Sequence, residues 1–211
     1  MVKVGASILD ADFSILGEEI RRLEKAGIDF ISFDIMDGRF VPNLTFGPDL
    51  IKSLRDKTGL PFEAHLMVES PEKYIGRLVD AGVDIINIHA ESRGKIEDVI
   101  KSIKAGDKKA GIAINPGTPP ESIGKFVDAI DMVLVMAVEP GFSGQKFIDM
   151  SGKIKYLRGL EKGFDICVDG GINETTAKQA AGAGATMVVS SSYIFSHKDY
   201  SEAVRKLKTA R

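Results

Sequence analysis

Apolar residues along this chain come in short runs. Each is followed by a polar turn and then by a longer stretch in which apolar positions recur at helical spacing. The runs are Val4–Leu9, Phe30–Met36, Phe62–Met67, Ile85–His89, Gly111–Asn115, Met132–Val138, Ile166–Asp169 and Thr186–Ser190. Short apolar runs bounded by turn residues mark strands buried on both faces, and the amphipathic stretches mark helices that cover them. Helices are predicted near 14–26, 48–58, 71–81, 94–105, 119–129, 146–162, 174–182 and 199–210. Gly27, Gly59, Gly82 and Gly163 read as helix stops just ahead of the next strand. Three phrases, EKAGIDFISF, VDAGVDIINI and AAGAGATMVV, share one design: a helix ends at Ala-Gly and a strand begins.

Eight evenly spaced strand–helix units are the number that closes a (β/α)8 TIM barrel. An open doubly wound sheet is the competitor, and even spacing with no break in character favours closure. The expected architecture is an α/β barrel in one domain over residues 1–211, with short loops. Alternation along each strand then sorts side chains into and out of the barrel. Ser32, Asp34 and Met36 share one face, as do Glu63, His65 and Met67, Asn87 and His89, Leu134, Met136 and Val138, and Cys167 and Asp169. The polar members gather toward the C-terminal strand ends, where barrel enzymes carry their chemistry.

Composition narrows the class. A hydrophobic share of 44% supports a sizeable core. A net charge of -2 with no basic block argues against nucleic acid as a partner. The single cysteine, Cys167, lies inside an apolar run and reads as core, which suits a reducing compartment. With no signal peptide and no apolar run of spanning length, a soluble cytoplasmic protein without a membrane partner is expected.

Carboxylates inside apolar strands are costly unless paired, liganded or working. Asp34, His65 and Asp169 are oxygen and imidazole donors on strands two, three and seven. Together they suit a divalent ion or an acid/base pair. Taken singly, each also has a plain structural role open to it: a lining histidine, a turn cap, an ion-paired aspartate. Gly170 and Gly171 after strand seven, and Ser191 and Ser192 after strand eight, stand where barrels bind phosphate through main-chain N–H groups. GFSG, from Gly141 to Gly144, adds a flexible segment that could close over a substrate. Met36, Met67 and Met136 are inward-facing and serve either packing or a dry collar around a reactive centre.

At these residues the chain resembles the ribulose-phosphate 3-epimerases. The matching stretches are SILDADF at 7–13, DIMDGRFVPNLTFGP at 34–48, HLMVESPEKYI at 65–75, IHAES at 88–92, VEPGFSGQKF at 138–147 and VDGGIN at 168–173. The resemblance implies the ribulose-phosphate-binding type of TIM barrel, usually a homo-oligomer. Its implied reaction inverts C3 of D-ribulose 5-phosphate, giving D-xylulose 5-phosphate through a metal-stabilised enediolate. Asp34 and Asp169 would be the paired acid and base and also metal ligands, with His65 as a further ligand and a substrate-facing residue. The metal would be Zn, Fe(II), Mn or Co. Ser7 and the three methionines would touch substrate, and Gly144, Gly171 and Ser192 would hold its phosphate.

The chain departs from the family pattern at several positions. Ser32 stands where the family places a ligand histidine, which leaves three outcomes open: a metal on three protein ligands, a more weakly bound metal, or none. Ala6 and Asp10 replace Pro and Ser, Arg39 replaces His, Glu139 and Ser143 alter the loop after strand six, and Ser191 replaces Gly. These changes at the substrate end keep two alternatives open: a 3-epimerase for another ketose phosphate (a hexulose 6-phosphate or tetrulose phosphate), or a non-catalytic sugar-phosphate-binding barrel. An aldolase would need a Schiff-base lysine deep in a strand, and none is found.

Overall fold

A computed structural model describes residues 2–209. The strands are β1 (Lys3–Ser7), β2 (Phe30–Met36), β3 (Phe62–Met67), β4 (Ile85–His89), β5 (Lys109–Ile114), β6 (Met132–Met136), β7 (Asp165–Asp169) and β8 (Met187–Ser190). They pair in parallel in chain order and close β8 onto β1, so the predicted TIM barrel is the observed one and the open sheet is excluded.

The helices are α1 (Leu16–Ala26), α2 (Pro48–Leu54), α3 (Ile75–Asp80), α4 (Ile96–Ala105), α5 (Ser151–Gly159), α6 (Glu174–Ala183), α7 (Ser192–Phe195) and α8 (Tyr200–Lys208). Three expectations change. The segment at 119–129 is a 3₁₀ turn, Pro120–Phe126, with Pro120 at its first position, where proline is tolerated, and Gly124 weakening any α-helix from within. The helix expected over 146–162 starts only at Ser151, after an irregular loop. Gly163 is not the stop: the helix ends at Gly159 with Leu160 as its C-cap, and Glu161 takes the left-handed conformation (φ 52°). Short α7 after β8 was not anticipated, and the last residue of the expected 199–210 helix lies outside the described residues.

Period-2 alternation divides the side chains as expected. Ile31, Phe33, Ile35, Ala64, Leu66, Ile86, Ile88, Val133 and Val135 pack outward under the helices. Phe30, Ile85, Met132, Leu134, Met136, Cys167 and Met187 fill the barrel interior. The interior is asymmetric. Ser7, Ser32, Asp34, Glu63, His65, Asn87 and His89 line the β1–β4 side, while β5–β8 contribute mainly apolar groups. The Phe30 ring plugs the N-terminal end because Gly5 makes room for it. A Cβ on Gly5 would sit 2.2 Å from the ring's Cζ.

The N-terminal rim is clasped four times. Val4 N–H donates to Asp29 Oδ2 (2.7 Å), and Asp29 N–H returns a bond to Val4 O (2.8 Å). Phe62 with Asp84 and Ala110 with Asp131 repeat the same reciprocal pair. Thr186 takes the role on β8: Ile166 N–H donates to its Oγ1 (3.0 Å), and its own N–H donates to Ile166 O (2.9 Å). Asp29, Asp84 and Asp131 each also meet a cation, from Lys208, Arg55 and Lys104. Three of these clasps fall in the three look-alike phrases of the sequence.

Candidate active site

Strand register brings the polar residues together. Asp34 lies beside His65 across β2–β3, and Met136 beside Asp169 across β6–β7. Asp34 Oδ1 is 2.8 Å from His65 Nδ1, and Asp169 Oδ2 is 3.8 Å from the same nitrogen. One donor atom from each of the three residues falls within 4.8 Å of the others. Ser7 Oγ donates to Asp34 Oδ2 at 2.5 Å. Thr45 fixes the strand end by donating to Asp34 O (2.6 Å) and accepting from Met36 N (3.0 Å). Asp37 ties the following loop down, accepting from Arg39, Phe40 and Glu69 N–H groups. Those bonds outweigh burial and hold its carboxyl below the ordinary range.

One cavity of about 60 Å³ lies over these groups. Its walls include Ser7, Asp34, Met36, Met67, Met136, Gly141, Gly144, Asp169, Gly170, Gly171, Ser191 and Ser192, every site residue expected from sequence except His65. His65 is fully buried behind the two aspartates and does not line the cavity. Leu9 and Gln145 also line it without having been singled out, and Ser190, the first residue of the serine run after strand eight, lines it too. Gln145 is recognisable afterwards as the residue that braces the loop, donating to Glu139 O and Phe142 O. Gly170 and Gly171 have positive φ (107° and 62°), and a Cβ on Gly171 would lie 2.7 Å from Phe147 N. Their main chain therefore approaches the cavity as only glycine allows. Arg39 and Glu139 are absent from the lining, and Arg39 pairs with Glu69 at 3.6 Å. The charges these two add therefore fall outside the cavity walls.

Three departures from the family pattern meet at the mouth. Ser143 Oγ donates to Asp10 Oδ1 (2.6 Å), Asp10 N–H donates to Ser191 Oγ (3.2 Å), and Ser191 Oγ donates to Ser7 O (2.9 Å). The loop after β6 is thus fastened across the opening to the end of β1. Spacing along the chain gives no signal of this.

Burial dominates the electrostatics of the site. Burial, then the charge of neighbouring Asp34, pushes Asp169 up to about 8. Burial alone would lower His65, but the hydrogen bond and charge of Asp34, with the charges of Asp169 and Glu63, raise it above the ordinary value. Burial takes His89 down to about 4 against the pull of Glu91. Burial would raise Glu91, yet bonds from His89, Thr118 and Asn115 hold it near 2. One layer deeper, burial raises Glu63, which accepts from Asn87 Nδ2 at 2.5 Å. Burial also raises the Cys167 thiol far above its usual value, as suits a core residue.

Two carboxylates and an imidazole are a donor set suited to a divalent ion. Ser32 does not join it. Its buried Oγ has no hydrogen-bond partner and sits beside Glu63 in the layer below. The fit is therefore to three protein ligands: Asp34, His65 and Asp169.

Comparisons with known proteins agree with this geometry. A solved 3-hexulose-6-phosphate synthase from Salmonella typhimurium superposes with a TM-score of 0.77 at 21% identity, covering 99% of this chain and 98% of that one. Orotidine 5'-phosphate decarboxylase from Pyrococcus horikoshii superposes with a TM-score of 0.71 at 16% identity, covering 97% and 96%. At such identities these show the barrel fold alone. Sequence relatives go further. The ribulose-phosphate 3-epimerase of Bacillus subtilis is 43% identical over 100% of both chains. That of Methanocaldococcus jannaschii is 45% identical over 100% of this chain and 91% of its own. The profile described as "Ribulose-phosphate 3 epimerase family" matches residues 3–195. With the family profile matching nearly the whole length and relatives 43–45% identical across it, this chain belongs to the ribulose-phosphate 3-epimerase family.

Proposed function

We propose that the protein is an isomerase that inverts C3 of D-ribulose 5-phosphate to give D-xylulose 5-phosphate. The observation that carries this reading is the aspartate pair. Asp34 and Asp169 present oxygens within 4.8 Å of one another on the same cavity, in unlike environments. Ser7 Oγ donates to Asp34, while burial and the charge of Asp34 push Asp169 up to about 8 in the metal-free site, favouring its protonated form there. A base and an acid so divided are what proton transfer through a planar intermediate requires. Asp34 takes the C3 proton from one face, Asp169 delivers one to the other, and the reverse reaction exchanges the roles.

A divalent ion held by Asp34, His65 and Asp169, of the Zn, Fe(II), Mn or Co type, would supply positive charge beside the substrate's oxygens. The phosphate would rest at the other end of the cavity on main-chain N–H groups of Gly144, Gly170, Gly171, Ser191 and Ser192, since no lysine or arginine lines it. Met36, Met67 and Met136 would keep the reacting carbon dry. The reading extends to a cytoplasmic homo-oligomer. Exposed Phe13, Ile15 and Leu44 offer apolar surface to a second copy, and no helix among the described residues is long and apolar enough to cross a membrane.

The test is solvent deuterium incorporation at C3 of ribulose 5-phosphate, followed by NMR with metal-stripped protein and with added Zn, Mn, Co or Fe(II). Exchange together with xylulose 5-phosphate formation is expected. Absence of exchange under every metal would remove the substrate assignment.

A further inference from the structure

We infer that Glu91 and His89 form a one-way relay that sets the ring tautomer of His65 and so aims its Nδ1 lone pair at the two aspartates. The inference deepens the metal-assisted reading above and rests on it. Its origin is a contact that the proposed reaction leaves unused: His65 Nε2 and His89 Nε2 lie 2.8 Å apart, and both rings are fully buried. No solvent reaches either ring to satisfy an idle nitrogen. One nitrogen must donate and the other accept, and the next partner along decides which.

That partner is Glu91. Its Oε1 accepts from Asn115 N–H (2.9 Å) and from the Thr118 hydroxyl, and its Oε2 faces His89 Nδ1 at 3.2 Å. An ionised carboxylate only accepts, so His89 carries its proton on Nδ1 and presents a bare Nε2. His65 must then place a proton on Nε2 to fill the contact. Its Nδ1 is left for the cavity side, 2.8 Å from Asp34 Oδ1 and 3.8 Å from Asp169 Oδ2. In that position Nδ1 either holds a second proton or gives its lone pair to a cation between the carboxylates. The Phe40 ring packs on His89 with 4.7 Å between centroids, which helps hold that ring in place. Glu91 and His89 touch neither substrate nor the proposed metal position. They are positioning residues, acting through His65.

Glu91→Gln tests the direction of the relay. A carboxamide has one accepting oxygen where Glu91 uses two. If that oxygen serves Asn115 and Thr118, the NH2 group faces His89 Nδ1 and forces the opposite tautomer. His89 then donates from Nε2, His65 accepts there, and His65 Nδ1 keeps a proton that blocks coordination. Glu91→Ala removes the acceptor without imposing the reverse order.

The experiment combines long-range 1H–15N correlation spectra of histidine-labelled protein with zinc binding measured by chelator competition. In metal-free wild type, His89 should be the Nδ1–H tautomer. In E91Q it should become Nε2–H, with zinc affinity reduced about 10–100-fold, and E91A should lie between the two. A wild-type His89 protonated on Nε2 would overturn the inference. So would an E91Q protein with unchanged tautomer and affinity, or an E91A that loses more affinity than E91Q, which would mark Glu91 as packing alone. A wild type that binds no zinc would remove the metal reading, while the His89 tautomer of the metal-free protein would still decide the relay.

Discussion

Asp169→Asn should cost the protein its activity and return stability to it, in a pH-dependent way. Asp169 ionises near 3.8 in an unfolded chain and at about 8 in the folded one. Between those values the folded protein holds a proton that the unfolded chain releases. Its contribution is therefore greatest below pH 3.8, declines as the pH rises through the interval, and levels off above about 8. At 1.36 kcal/mol per unit the span has a ceiling on the order of 5 kcal/mol, reached only if Asp34 does not adjust its own ionisation. Asparagine has the same shape and pays none of this. For a chain of this size each kcal/mol moves Tm by about 2–4 °C. Chelator-treated wild type and variant should match near pH 4 and separate by as much as roughly 10–20 °C at pH 9, with the variant higher. Epimerisation should fall by about 10²–10⁴. The measurement is Tm by calorimetry for both proteins from pH 4 to 9, so that titrating groups not coupled to Asp169 cancel in the difference. A constant separation across that range would refute the claim that burial and Asp34 keep Asp169 protonated.

Other expectations follow from single contacts. Ser143→Ala removes the bond to Asp10 that fastens the loop after β6, a bond worth about 0.5–1.5 kcal/mol. KM for the sugar phosphate should rise about two- to tenfold, with faster amide exchange over residues 140–147; unchanged exchange would count against a fastened loop. Gly5→Ala drives a Cβ into the Phe30 ring and should cost roughly 1–3 kcal/mol in urea denaturation. Part of that loss should return with Phe30→Leu. Tyr200→Phe removes the hydroxyl that donates to buried Glu19 (2.7 Å) across α1–α8 and should cost about 1.5–3 kcal/mol at pH 7. Equal stability would show that Arg22 alone satisfies Glu19.

Much of this was legible in the chain because strands fully buried in a closed barrel obey a strict period of two. Asp34 and His65 could be placed on the interior from alternation alone, and β2–β3 pairing sets them side by side. The segment PPESIGKF has helical spacing of apolar residues, and that spacing alone does not distinguish an α-helix from the 3₁₀ turn that forms around Gly124. Residues 146–150 stay outside α5 for a different reason: Ile148 N–H donates to Ala137 O (2.7 Å) and Asp149 Oδ1 accepts from Ser151 N–H (2.8 Å), contacts that helical spacing does not report. Contacts between loops from distant strands leave no periodic trace, so the Ser143–Asp10–Ser191 chain was visible only as three unusual residues. The family resemblance makes His65 a ligand and a substrate-facing residue. It stands level with Asp34 in the strand register, yet its ring is fully buried and does not line the cavity, a difference that alternation does not report.

The four rim clasps have a consequence for how the barrel divides. Each joins an even strand to the odd strand before it, pairing β1 with β2, β3 with β4, β5 with β6 and β7 with β8. A cut near Gly106, between α4 and β5, severs none of them. The two fragments it leaves are chemically unlike. The first holds Asp34, His65, His89 and Glu91, and the second holds Asp169 with the loops proposed to hold phosphate. Neither fragment alone contains both an acid and a base for C3. Complementation between separately expressed halves would thus report assembly directly through catalysis, with turnover appearing only where the two modules have found each other.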